Sequence, residues 1–139
     1  MQKRAKRFYP TLAITAFGLN WIWVMAQMFA YQIKPEESIW QIFLFCTLAS
    51  VVDAIVTAAI YATLKSLLRL GGTKFYLAAA FSGAWVAVFF EWLARLFNLW
   101  SYNERMPVIP FLETGLLPLT QLTLLVPLAI WLTQKFKGN

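Results

Sequence analysis

Acidic residues stand in two of the chain's long apolar runs, where a charged group is costly. Asp53 lies in the second run and Glu91 in the third, each among mostly apolar neighbours. A carboxylate near the middle of a membrane is expensive to bury, and such residues commonly mark proton or ion pathways or polar contacts between helices. These two acids are therefore the strongest indication of function in the sequence.

Arg95 follows Glu91 by four residues, with the acid first, which is the favourable order for an ion pair on one helix. In one interpretation the pair neutralises itself and fixes the rotation of the third helix. In the other, a cavity open to the outside uses Arg95 as an anion site or Glu91 as an acid. The long arginine stem can also carry its guanidinium to the membrane surface. The spacing alone leaves both interpretations open.

Asp53 has no basic residue at its own depth. We expect it to hold its proton, because an apolar environment disfavours the charged carboxylate. A neutral Asp53 can donate a hydrogen bond to Asn20 or another amide, which is a structural role. The alternative is proton donation or relay, as carboxylates perform in transporters.

Apolar residues make up 60% of the chain and fall into four runs, each longer than the ~20 residues that cross a bilayer. We predict spans at 11–32, 39–68, 75–101 and 110–134. Short connections make consecutive helices antiparallel. The sequence therefore predicts an all-α integral membrane protein, an up-down-up-down bundle of four transmembrane helices forming a single membrane domain over residues 1–139.

Two connecting segments carry residues suited to begin a helix. Ser38 precedes the second span and Thr73 the third, and both side chains can accept a hydrogen bond from a free backbone N–H. Glu113 suits the positive N-terminal end of the fourth span, where we expect a capping role rather than a role in a site.

Basic residues are distributed asymmetrically along the chain, whose net charge is +6. By the positive-inside rule, this distribution predicts that both termini are cytoplasmic, in a plasma or inner membrane. We interpret the basic clusters as topology signals and contacts with anionic lipid, not as a nucleic-acid site. The predicted inner residues are Lys3, Arg4, Lys6, Arg7, Lys65, Arg69, Lys74, Lys135 and Lys137.

Helical spacing places a polar stripe on one face of each span. At a rise of ~1.5 Å per residue, several of these side chains lie at similar depths. Unpaired, each would be costly in hydrocarbon, so we expect them to face one another or water as one central polar cluster. The members of this candidate site are Asn20, Gln27, Asp53, Glu91, Arg95, Asn98, Tyr102 and Gln121.

The chain has one cysteine, Cys46, and no histidine. An internal disulfide is therefore excluded, and the commonest transition-metal ligand and general base are missing. We expect no metal and no cofactor.

Two further sets of apolar residues also need an explanation. The segment 106–111 is unusually apolar for a solvent loop, and it lies on the interface, folds over the mouth of the bundle or meets a partner. Trp85 and Trp92 share a face about 100° from Glu91, so they point to lipid, another subunit or a flat apolar ligand. The simplest interpretation is that the two rings pack against other apolar groups.

Three classes of function fit these features, and the sequence does not decide whether the protein is an enzyme. The first is a small four-span subunit or scaffold that packs against a larger membrane complex. The second is an intramembrane enzyme or binding protein for an apolar lipid or isoprenoid that uses Asp53 and Glu91. The third is a proton-coupled small transporter acting as a homo-oligomer. Membrane lipids are expected partners in all three.

Overall fold

Four long helices make up the protein. The computed structural model describes the backbone of residues 2–138 and the side chains of residues 7–137. Each helix is long and apolar enough to span a membrane, so the prediction of four helices able to cross a bilayer is confirmed. The helices are α1 (Gln2–Gln27), α2 (Ile39–Ala62), α3 (Gly72–Leu96) and α4 (Leu116–Gly138).

The helix ends differ from the predicted spans where a turn competes with the helix. A short 3-10 turn, Met28–Ala30, follows α1. α4 begins at Leu116 and not at 110, because the preceding residues form an antiparallel hairpin of β1 (Val108–Ile109) and β2 (Thr114–Gly115). Pairing with β1 keeps the Thr114–Gly115 segment extended, so the fourth helix starts only after it.

The two expected caps have different outcomes. Ser38 caps α2 as predicted: its Oγ accepts a hydrogen bond from the Gln41 N–H at 3.2 Å, and its own N–H donates to Gln41 Oε1 at 2.8 Å. The expectation for Thr73 is wrong, since α3 begins at Gly72 with Gly71 as its uncapped N-cap. Gly72, the first residue of α3, has a φ of 60°, a left-handed conformation that glycine adopts without strain.

α2 ends in a π-turn, Thr63–Leu67, which closes with a hydrogen bond from the Leu68 N–H to the Thr63 carbonyl at 3.0 Å. The wider π-turn follows Ala62 directly, so the helical path continues to Leu67. π-turns are rare in proteins, and those that occur are often found at functional positions.

The helices pack in the order α2, α1, α4, α3, with close contacts between neighbours in that order. α2 and α3 follow one another in sequence but touch far less than these pairs, although the short turn between them was expected to make them neighbours. An open cleft therefore lies between α2 and α3.

Side-chain contacts identify the two ends of the bundle. At one end the rings of Phe8 and Tyr61 lie 4.5 Å apart, and those of Tyr61 and Phe75 lie 5.9 Å apart. These contacts join the beginning of α1, the end of α2 and the beginning of α3, and we call this end the terminal end. At the opposite end, the loop end, the Gln32 N–H donates to the Ser101 carbonyl at 2.9 Å.

Small residues allow α3 and α4 to approach closely. Gly83 is buried, and a Cβ placed on it would lie 2.3 Å from the Leu122 carbonyl oxygen. Ala79 and Ala87, on the same face, are also buried. This contact sets the distance between the helix that carries Glu91 and the helix that carries Gln121.

Candidate functional site

Four of the predicted site residues meet inside the bundle, and we call them the amide cluster: Asn20, Gln27, Asp53 and Gln121. Gln121 is at the centre. Its Nε2 donates to Asn20 Oδ1 at 2.8 Å and to Asp53 Oδ2 at 2.9 Å, while its Oε1 accepts from Gln27 Nε2 at 3.1 Å. The cluster therefore joins α1, α2 and α4.

The outer bonds of the amide cluster end on α1 itself. Asn20 Nδ2 donates to the Ala16 carbonyl at 2.8 Å, and Trp23 Nε1 donates to Gln27 Oε1 at 3.0 Å. Within residues 7–137, every fully buried side-chain nitrogen or oxygen has a hydrogen-bond partner. The amide cluster is thus a connected network, in which both N–H bonds of Gln121 are used.

The sequence left the partner of Asp53 open between Asn20 and another amide. In the structure the partner is Gln121, whose amide donates to both Asp53 and Asn20. The reason is geometric: the Gln121 amide carries two N–H bonds that diverge, so it can lie between an oxygen on α1 and an oxygen on α2. Asp53 is 7% exposed and acts as an acceptor in this network.

Glu91 belongs to a second group, the Glu91 cluster, formed by Glu91, Trp100, Tyr102 and Gly115. Glu91 is 4% exposed, and its Oε2 accepts hydrogen bonds from the Tyr102 hydroxyl and, at 3.3 Å, from Trp100 Nε1. The Tyr102 oxygen in turn accepts from the Gly115 N–H at 3.1 Å. The expected single cluster is therefore two groups, because Tyr102 reaches Glu91 from the loop end.

Tyr102 is held in position by the end of α1. It forms an isolated β-bridge with Tyr31, and the two rings lie 5.5 Å apart, edge to face. Asn103 Nδ2 donates to the carbonyls of Phe29 at 2.7 Å and Tyr31 at 3.1 Å. These contacts fix the connection after α3 against α1, so that the Tyr102 hydroxyl faces Glu91.

Tyr31 lies between the two groups, one residue after the apolar segment that ends at Ala30. Burial raises the pKa of Tyr31, and negative charge on Glu91 or Asp53 would raise it further. The phenol therefore keeps its proton at neutral pH and remains a hydrogen-bond donor. Both acids are near enough to influence the same hydroxyl.

Arg95 does not pair with Glu91, so the predicted i,i+4 ion pair is wrong. Its Nη1 lies 2.5 Å from Glu113 Oε2, and its Nη2 donates to the Leu112 carbonyl at 3.3 Å. The arginine stem extends to the loop end, where its side chain is 37% exposed and its charge is hydrated. The expected capping role of Glu113 is also wrong, since its carboxylate is bound by Arg95.

Asn98 is likewise outside both groups. It is exposed and has a φ of 51°, a left-handed conformation that asparagine tolerates better than most residues. The Leu99 N–H then donates to the Ala94 carbonyl at 2.9 Å, which ends α3. Asn98 is a helix-terminating residue, and its polar side chain is explained by that role.

The segment 106–111 divides between burial and exposure. Met106 is 5% exposed and packs beside Gly115 and Tyr102, covering the Glu91 cluster. Phe111, at the tip of the hairpin, is 99% exposed. The segment therefore folds over the bundle at one end and projects from it at the other.

The two groups differ in what they can do chemically. In the amide cluster, the central Gln121 commits both of its N–H bonds to oxygens on other helices. Glu91 instead has two donors on one carboxylate oxygen and no cation within salt-bridge distance among the described residues. Its other oxygen is available to hold a proton or to meet a ligand, beside the aromatic side chains of Trp100 and Tyr102.

Some members of these groups had no clear signal in the sequence. Gly115 contributes only its backbone N–H, and its lack of a side chain is needed because a Cβ there would lie 2.9 Å from the Tyr102 ring and the Met106 sulfur. Trp100 lies beyond the end of α3 at Leu96, where the helical period no longer predicts the direction of a side chain. No protein-family model, curated protein or solved structure matches this chain.

Proposed function

We propose that this protein is a small four-span membrane subunit or scaffold that packs against a larger membrane complex. The observation that supports this proposal is the amide cluster, in which side chains of three helices bond to one another within one chain. Such a network orders the three helices, and Gln121 at its centre uses both of its N–H bonds. What remains available for interaction is the outer surface of the bundle.

The most distinctive part of that surface lies on α3, and we call it the aromatic face. Its four large rings recur at three- or four-residue spacing and are all more than half exposed. Trp85 lies about 20 Å along α3 from Gly72, near the middle of the helix, whereas lipid-facing tryptophans concentrate at the membrane interfaces. The aromatic face consists of Phe81, Trp85, Phe89 and Trp92.

Rings of this kind are typical of buried contacts between proteins, because they bury large areas with few rotatable bonds. Phe89 and Trp92 already stack on each other with their centroids 6.3 Å apart, so the face is ordered before any partner arrives. We propose that another apolar transmembrane helix covers it. In this proposal both termini are cytoplasmic, in a plasma or inner membrane.

Photo-crosslinking in intact membranes tests the proposal. A photoreactive residue at Trp85 on α3 is compared with one at Ile55 on α2, which is 63% exposed but has aliphatic neighbours. We expect a discrete protein adduct at Trp85 and only lipid adducts at Ile55. A third photoreactive residue, at Trp92, should also give this protein adduct. Combining it with Phe81→Leu and Trp85→Leu should abolish the adduct. Lipid adducts alone at both positions would contradict the proposal, and a self-adduct would favour a homo-oligomeric carrier.

Glu91 supports a second candidate, an intramembrane enzyme or binding protein for an apolar lipid or isoprenoid. Its carboxyl group lies against Tyr102 and Trp100, and Phe45 packs on Trp100 with ring centroids 5.8 Å apart. A carboxylic acid can donate a proton to a double bond, and adjacent rings stabilise the positive charge that results. Mass spectrometry of lipids that co-purify with the parent chain and with Glu91→Gln would test this. A lipid lost only from the variant supports it, and identical lipid profiles contradict it.

A further inference from the structure

The cleft between α2 and α3 is apolar along most of its length. It has a volume of about 280 Å³ and is lined by Val56, Ala59, Ile60, Thr63 and Leu64 of α2 and by Ser82 and Val86 of α3. It opens sideways, toward the region that lipid occupies around a spanning helix. In a bilayer such a cleft is filled by whatever apolar chain fits it.

The size of the cleft decides between a hydrocarbon chain and a helix. From Val56 to Leu64, α2 rises about 12 Å, and a cleft of about 280 Å³ is small for that length. A helix with side chains is ~10 Å across and is too wide for it. The cleft therefore accommodates one extended hydrocarbon chain.

Positive charge surrounds the terminal end of this cleft. Lys65 directly follows the lining residue Leu64, and Arg69 and Lys74 flank the turn that joins α2 to α3. All three are exposed. No acidic residue occurs between Asp53 and Glu91, so this stretch of chain offers these cations no carboxylate.

Two hydroxyl groups in the cleft are also available. Ser50 and Thr57, elsewhere on α2, donate to the backbone carbonyls four residues before them. Among the described residues, Thr63 and Ser82 have no such hydrogen bond. Thr63 begins the π-turn at the terminal end, two residues before the basic Lys65.

We propose that the α2–α3 cleft is a binding site for one anionic phospholipid. One acyl chain lies between Val56 and Leu64 of α2 and Ser82 and Val86 of α3. The phosphate headgroup is held by Lys65, Arg69 and Lys74, and an ester oxygen accepts a hydrogen bond from Thr63. Each basic residue near the membrane surface adds electrostatic attraction for anionic lipid.

Native mass spectrometry of the full chain tests this site, after exchange into palmitoyl-oleoyl phosphatidylglycerol or the phosphatidylcholine with the same chains. We expect one phosphatidylglycerol to be retained and phosphatidylcholine to be lost. The triple variant Lys65→Gln, Arg69→Gln, Lys74→Gln should weaken phosphatidylglycerol retention by at least about tenfold. The matched control, Lys135→Gln with Lys137→Gln, lies at the end of α4 and should retain the lipid.

A second pair of variants tests the place of the chain. Ala59→Phe fills the cleft and should abolish retention, whereas Ala26→Phe, at an exposed position on α1, should not. Thermal unfolding in detergent is the control measurement, and it should show that every variant is folded. Equal retention of the two lipids, equal loss in the two charge variants, or retention by Ala59→Phe would each overturn the proposal.

Discussion

The amide cluster and the Glu91 cluster are both buried, but different parts of the chain build them. The amide cluster takes every member from a long helix and lies where α1, α2 and α4 meet. The Glu91 cluster takes one residue from α3 and the rest from the connection between α3 and α4. One group joins helices to each other, and the other fastens a loop onto the bundle.

This difference predicts unequal energetic roles. A residue that bonds to several helices is coupled to the global stability of the bundle, whereas a residue that fastens a loop is coupled mainly to the local opening of that loop. Hydrogen bonds between membrane helices contribute about 0.6 kcal/mol on average and up to about 1.7 kcal/mol. Among the variants below that remove hydrogen bonds, the loss of unfolding free energy should therefore increase with the number of bonds removed.

The largest effect is expected for Gln121→Leu. It removes bonds to three partners on two other helices and leaves buried oxygens of Asn20 and Asp53 without their donor. We expect a loss of about 3 kcal/mol in the free energy of unfolding, measured in detergent. Gln134→Leu is the matched control on α4, because Gln134 makes one bond, to Tyr76 at 2.7 Å, and should cost about 1 kcal/mol. Equal losses of unfolding free energy in the two variants would show that Gln121 is not the centre of a network that stabilises the bundle.

Gly83→Ala should have the next largest effect, because it separates the helices that carry the two clusters. The new Cβ would lie 2.3 Å from the Leu122 carbonyl oxygen, a rigid backbone atom next to Gln121. Overpacking of this kind costs about 2 kcal/mol. Gly18→Ala is the matched control, since nothing lies within 4 Å of its Cβ position in the middle of α1. It should stabilise the protein by about 0.5–1 kcal/mol, and a loss at Gly18 as large as at Gly83 would contradict the close packing.

The predictability of the two clusters from sequence follows from the same difference. The amides of the spans share depth because the helical rise is regular, so the meeting of Asn20, Gln27, Asp53 and Gln121 could be predicted. The Glu91 cluster depends on the path of an irregular connection, which no periodicity describes. Tyr102 was predicted as a site residue from its spacing on α3, although it lies beyond the end of that helix at Leu96.

Arg95 and Asn98 show why helical spacing overextends near a helix end. Both were placed on the polar face of α3 by continuing its period. Asn98 instead adopts a left-handed conformation that stops the helix, and the long Arg95 side chain turns toward the hairpin. A single residue with positive φ changes the path of the backbone and the direction of every side chain after it. Asparagine in the sequence indicates this conformation only weakly.

Tyr102→Phe tests the role of the Glu91 cluster in fastening the loop. The change removes the hydroxyl that donates to Glu91 and accepts from the Gly115 N–H. We expect a loss of about 1 kcal/mol in unfolding free energy and faster hydrogen exchange at Gly115, with the protection of α1 and α4 around the amide cluster unchanged. Tyr9→Phe, at a ring that is 39% exposed, should change neither measurement. Faster exchange throughout the bundle would mean that the Glu91 cluster also joins helices.

The smallest effect is expected from the exposed ion pair of Arg95 and Glu113. Double-mutant cycles with Arg95→Met and Glu113→Gln should give a coupling of about 0.5 kcal/mol, because the Glu113 side chain is 74% exposed and water screens the pair. The same cycle with Arg95→Met and Glu91→Gln should give a smaller coupling, since Glu91 takes its hydrogen bonds from Tyr102 and Trp100. Raising the salt concentration should reduce the first coupling. A larger coupling to Glu91 than to Glu113 would show that Arg95 pairs with Glu91 inside the bundle. The Glu91 cluster would then contain an ion pair.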